Sequence, residues 1–189
     1  MIQSTLRFNI TLPHVAAIMD AASLSGLPRL ASACDELSVE TLTVCTLPPD
    51  LRLAPVSDAV TMVNALVDAL SGLDCRRVSL VGRRYYLPAR VTEIVAASMP
   101  GRGGPEVRIA VDYACQASLL GGVEVRPAGL LLVPAGVELG NLLRWHFAGA
   151  ARALLACPNF DAASLAALLD DLPSRQRRSR RSQTLSRTR

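Results

Sequence analysis

The sequence predicts an α+β fold: a mixed small sheet packed with helical hairpins, followed by a disordered basic C-terminal tail. Three observations predict it. Short segments rich in Val, Ile and Thr are interleaved with apolar stripes of helical period. Half of the 189 residues are hydrophobic but only 4 % are aromatic, so a sizeable core is built from Leu, Val, Ile and Ala. The composition then changes abruptly at Pro173, beyond which seven arginines stand with no acidic residue.

The elements follow in order. Thr5–Leu12 alternates, with Leu6, Phe8, Ile10 and Leu12 on one face of a strand. Pro13 opens a helical pattern in which Val15, Ile18, Met19 and Ala22 lie at i, i+3, i+4 and i+7. Gly26–Leu27–Pro28 interrupts it, and Leu27, Leu30, Cys34 and Leu37 form a second stripe, which makes a helical hairpin. Val39–Leu47 reads as a strand and Leu47–Pro55 as a loop. Ser57 N-caps a helix running to about Leu70, closed by Gly72. Arg77–Gly82 is a strand that turns at Gly82–Arg84 into a hairpin with Tyr85–Leu87, and Val91–Met99 is helical. Pro100–Pro105 is a surface loop, Glu106–Tyr113 an alternating strand, and Val123–Val133 one or two more. Val137–Leu155 reads as a long apolar helix. Asp161 caps a last helix, with Phe160 and Leu165 as its staple, and Pro173 stops it. The body is thus residues 1–172, divisible into subdomains 1–73 and 74–172, and residues 173–189 are the tail.

All 20 basic residues are arginine; there is no lysine. Three causes compete: a GC-rich genome, selection against ubiquitin or acyl attachment, and a use for guanidinium forks in phosphate or carboxylate recognition. The charge is uneven. Residues 1–172 carry 13 arginines against 16 acids, so a mildly acidic body precedes a strongly basic tail.

Five scattered cysteines, Cys34, Cys45, Cys75, Cys115 and Cys157, form neither a CxxC pair nor a disulfide framework. They read as buried thiols in a reducing compartment, which places the protein inside the cell, nuclear or cytoplasmic. No signal peptide is evident and no stretch approaches 18 uninterrupted apolar residues, so no membrane partner is expected.

The residue types that carry catalysis are sparse. His14 and His146 are the only histidines; one stands at an expected helix start and the other inside an apolar helix beside Trp145 and Phe147. Asp170 and Asp171 are adjacent, so on a helix they point about 100° apart. Gly101–Gly104 lacks phosphate-loop spacing, and without lysine that reading fails. The expectation is a protein with no catalytic set, no cofactor and no metal site. The tail carries the clearest physical role. Arg175, Arg177, Arg178, Arg180, Arg181, Arg187 and Arg189 suit a nucleic-acid backbone or an import receptor, and Ser179 and Ser182 among them suit basophilic kinases.

The stretch Leu6–Leu37 resembles the closing half of a BTB/POZ domain, the fold shared with elongin C. Val15, Ile18, Ala21, Ala22, Leu24, Leu27, Leu30, Cys34 and Leu37 match its helical-hairpin pattern in order. Arg77–Ser98 resembles an opening half, and Asn141–Gly149 with Phe160–Leu172 a second closing half; residues 38–75 match nothing there. The resemblance implies a protein-interaction module, with a cullin-type ubiquitin ligase as one partner, beside which a lysine-free chain escapes modification.

Three functions are therefore weighed. The leading one is a non-enzymatic adaptor that binds a protein partner or itself and uses the tail for nucleic-acid binding or nuclear targeting. The second is a nucleic-acid packaging component, viral or organellar, acting through the tail on RNA or DNA. The third is a small α/β enzyme on an anionic substrate held by Arg83, Arg84, Arg90 or Arg102 near Tyr85 or Cys115.

Overall fold

In the computed structural model, residues 14–47, 55–82, 87–97, 103–111, 128–134, 151–155, 164–165 and 167–168 are described. Six strands form one sheet: β1 His14–Ile18, β2 Thr41–Leu47, β3 Arg77–Gly82, β4 Glu106–Val111, β5 Leu130–Pro134 and β6 Ala151–Leu155. Their spatial order is β3-β4-β2-β1-β5-β6, and every pairing is parallel. Among the described residues it is accompanied by α1 Leu27–Glu36, entered through a 3-10 turn at Ser23–Gly26, α2 Val56–Ser71 and α3 Ala89–Ala97, with a further helical stretch at 164–165 and 167–168. The expected small sheet packed with helices is present. Its parallel pairing makes the arrangement α/β, because parallel neighbours need crossovers rather than tight hairpins.

Burial explains the strand sequences. Residues in register across parallel strands share a face. One face aligns Val78, Val107, Leu42, Val15 and Leu130, then Leu80, Ile109, Val44, Ala17 and Leu132. These join Leu24, Leu27 and Leu30, Leu66, Val67 and Leu70 of α2, and Val91 of α3 in a single cluster. Complete burial of each such leucine stabilises the fold by about 1.5–3 kcal/mol. The opposite face packs Ala16, Cys45, Ala110, Leu131 and Val133, with Ile18 and Val81 beside them. Toward the strand starts that face is polar. His14, Thr41, Glu106 and Arg77 form one row across four strands, with Thr43, Arg108 and Ser79 in the next. His14 is buried, with its Nε2 2.8 Å from Thr43 Oγ1.

Several expectations change. Residues 14–18 are the strand β1 and not the first helix of a hairpin. A strand buried on both faces reads as an unbroken apolar run, and the Val15, Ile18, Met19 spacing mimicked a helix. His14 is accordingly a strand residue. Residues 151–155 are a strand where a helix was expected. The strand at Arg77–Gly82 pairs in parallel with β4. Gly82 has φ +99°, and a Cβ there would meet the Val111 carbonyl oxygen, so the end of this edge strand needs glycine. The expected strand over residues 5–12 lies outside the described residues, as do His146, Asp170 and Asp171.

Candidate functional site

The chain order of the strands marks one place on the sheet. From β1 the chain proceeds toward β2 on one side, and from β5 toward β6 on the other. Strands β1 and β5 are adjacent, so their outgoing connections diverge and leave a crevice beyond their carboxyl ends. In open α/β sheets ligands bind in that crevice.

Asp20 stands there. Met19 N donates to Cys45 O at 3.0 Å, which prolongs the β1–β2 pairing one residue past β1 and delivers Asp20 just beyond the sheet. The chain then turns at once into helix. Ser23 N donates to Asp20 Oδ1 at 2.8 Å, Ser23 Oγ donates to the same oxygen at 2.6 Å, and Asp20 N donates to Ser23 Oγ at 2.9 Å. This reciprocal pair closes the turn over Ala21 and Ala22 that leads into the 3-10 helix. Leu24 N completes the turn on Asp20 O at 3.0 Å.

These bonds set the electrostatics. The Ser23 hydroxyl, and then the Ser23 amide, hold the Asp20 carboxyl below its ordinary value. Asp20 is exposed, and among the described residues it forms no ion pair. It is thus a fixed negative charge that no cation among the described residues pairs. Beside it β2 carries a bulge: the register shifts between Cys45 and Leu47. Buried Thr46, the extra residue, donates its hydroxyl to Met62 Sδ of α2 at 3.3 Å. Bulges of this kind redirect side chains at the rim of a site.

The thiols are not poised for chemistry. Burial pushes both Cys34 and Cys45 up to about 12, so neither is a thiolate at neutral pH. Among the described residues no group of three His, Cys, Asp or Glu side chains converges on a metal position.

Of the residues named for an anionic substrate, Arg90 lies exposed in the first turn of α3. It follows β3, three strands away from β1, which is about 14 Å along the sheet. No hydrogen bond or ion pair joins Arg90 to Asp20 among the described residues. Arg83, Arg84, Tyr85, Arg102 and Cys115 lie outside the described residues, as do all seven tail arginines, Ser179 and Ser182. Asp20 escaped the sequence reading because a lone carboxylate has no spacing motif. The available signal was an apolar run ending in Asp with Ser three residues on, the mark of a strand passing directly into a helix.

An open parallel sheet with a carboxylate beyond its switch point is an α/β architecture in which ligands generally bind at that point. Comparison with solved structures narrows the class to the fold of prenyl diphosphate synthases. Lavandulyl diphosphate synthase from Lavandula x intermedia, determined in complex with dimethylallyl diphosphate, aligns with TM-score 0.63 at 18 % identity. The alignment covers 88 % of this chain and 95 % of that one. A probable undecaprenyl diphosphate synthase from Campylobacter jejuni aligns with TM-score 0.64 at 15 % identity, over 85 % of this chain and 95 % of that one. No protein-family model matches the sequence, and no curated protein matches it.

These likenesses correct the leading expectation. The expectation of a non-enzymatic adaptor is overturned: the chain has the fold of two diphosphate synthases. The element on which the adaptor reading leaned hardest, a helix over Val15–Ala22, contains the central strand β1. The weaker reading, a small α/β enzyme on an anionic substrate, is the one the comparisons favour.

Proposed function

We propose that the protein is an enzyme acting on a prenyl diphosphate at the crevice beyond β1 and β5, with Asp20 as its principal charged residue. The observation that carries this reading is the position of Asp20, an ionised carboxylate at the switch point of a sheet shared with two diphosphate synthases. The proposed reaction class is transfer of a prenyl group. The carbon–oxygen bond to diphosphate breaks and diphosphate departs with the bonding pair, the double bond of a second prenyl unit forms the new carbon–carbon bond, and a carbon beside the resulting cation loses a proton to the departing diphosphate, restoring a double bond.

A carboxylate and a diphosphate repel, so Asp20 acts on such a substrate only across a positive charge. Its chemistry fits a hard divalent cation of the magnesium type, which Asp20 would help to hold and which would supply the positive charge between carboxylate and diphosphate. Such an ion would neutralise charge on the departing diphosphate. The protein's part is to hold the carboxylate still and ionised, which the Ser23 bonds do.

The test is turnover of dimethylallyl diphosphate, alone and with a longer prenyl diphosphate, in the presence of magnesium. Release of inorganic diphosphate with formation of a longer prenyl product is expected. Asp20→Asn should lower kcat/KM by about a hundredfold or more. Equal turnover by the variant, or no diphosphate release with any prenyl diphosphate supplied, would overturn the reading.

A further inference from the structure

The two carboxylate oxygens of Asp20 stand in different states. Oδ1 accepts the Ser23 amide at 2.8 Å and the Ser23 hydroxyl at 2.6 Å. A carboxylate oxygen offers two lone pairs, so both acceptor positions of Oδ1 are taken. Among the described residues no hydrogen bond and no ion pair reaches Oδ2.

The fold maintains this asymmetry. Ser23 is only 5 % exposed, whereas Asp20 faces solvent. Water therefore competes little for the Ser23 hydroxyl. The same hydroxyl oxygen accepts the Asp20 amide at 2.9 Å, which fixes where it lies. Leu24, the next residue, is fully buried in the core and pins the turn to the sheet. Ser25, the other hydroxyl of the turn, donates to Ala22 O at 3.1 Å and so is spent elsewhere. Ser23 thus supplies both hydrogen bonds that orient the Asp20 carboxylate.

We propose that Ser23 is a positioning residue that makes Asp20 a one-oxygen ligand, offering Oδ2 alone, and that the site thereby prefers magnesium or manganese to calcium. Calcium gathers roughly six to eight oxygens and commonly takes both oxygens of a carboxylate. Taking both from Asp20 costs the two Ser23 bonds. Magnesium is smaller and keeps several of its waters, so one carboxylate oxygen suffices. Manganese shares its preference for octahedral oxygen ligands. The proposal deepens the prenyl diphosphate reading and rests on it for the diphosphate that the cation meets.

The experiment is equilibrium dialysis of the full chain against manganese and inorganic diphosphate, with calcium as competitor. The parent should retain manganese, with calcium weaker by about tenfold or more. Asp20→Asn should abolish the retention. Ser23→Ala should weaken manganese binding by about tenfold and bring calcium within about twofold of manganese. That ratio is set by folded molecules alone, so partial unfolding of a variant does not move it. Ser23→Thr, which keeps a hydroxyl, should keep the parent's ratio. The two ways of failing are separable. No manganese retained by the parent, or equal retention by Asp20→Asn, would remove Asp20 as the cation's holder and this proposal with it. Retention lost in Asp20→Asn but the parent's ratio kept in Ser23→Ala, or the alanine ratio found in Ser23→Thr, would overturn the role of Ser23 and leave that of Asp20 standing.

Discussion

Two carboxylates at opposite ends of the sheet look alike in isolation and differ in what surrounds them. Glu106 opens β4, and its carboxyl is held below its ordinary value chiefly by Arg108, whose Nη2 donates at 2.9 Å. Ser79 adds a longer bond at 3.4 Å. Asp20 follows β1, and its carboxyl is lowered by hydroxyl and amide bonds from Ser23. The first charge is answered within the protein. The second is ionised and oriented, and no cation among the described residues neutralises it. A negative charge kept that way at a switch point is available to a ligand, whereas a paired one on a strand serves the fold.

Substitution tests that contrast directly. The largest effect belongs to Asp20→Asn, expected to reduce prenyl transfer by about a hundredfold or more with thermal stability little changed, whereas Glu106→Gln should leave kcat/KM within about twofold. A comparable loss of activity from both variants would erase the distinction. Next is Ser23→Ala. It removes the hydroxyl that holds Asp20, so it should cost about 1 kcal/mol of stability, read by denaturant unfolding.

The same substitution should alter the pH response. A carboxylate whose folded value is depressed contributes stability above its unfolded value and loses it as pH falls through the folded one. Both Asp20 and Glu106 are depressed, so the stability of the parent should fall on acidification below about pH 4. In Ser23→Ala the Asp20 carboxyl returns toward its ordinary value. The acid limb of kcat/KM should then move to higher pH, a shift that Glu106→Gln would not reproduce. The smallest effect is that of Glu106→Gln on stability, below about 1 kcal/mol, because the pair it breaks is partly solvated. Cys34 and Cys45 provide a control for folding: at pH 8 neither should react with iodoacetamide until the protein unfolds.

What the sequence made legible follows from burial. Strands Thr41–Leu47, Arg77–Gly82 and Glu106–Val111 and helix Val56–Ser71 were each anticipated within two residues at either end, because each carries its own periodicity or boundary signal. Strand β1 was not. Its alanines and its burial on both faces remove the alternation that marks a half-exposed strand. Once His14–Ile18 is read as helix, Asp20 becomes one more polar residue within a hairpin, and the crevice disappears from view. The site was lost with the strand that builds it. Pairing direction was equally hidden, since the partner of β3 is set by a crossover and not by the local residues Gly82–Arg84.

The central position of β1 also governs the order in which the protein can assemble during synthesis. One flank of β1 is closed by β2, only some thirty residues on, but the other waits for β5, whose Leu130 pairs with Val15 from a separation of 115 residues. Until that segment leaves the ribosome, an apolar strand keeps a bare edge able to recruit a foreign chain. Nascent chains stalled between β4 and β5 should therefore be the forms most dependent on chaperones.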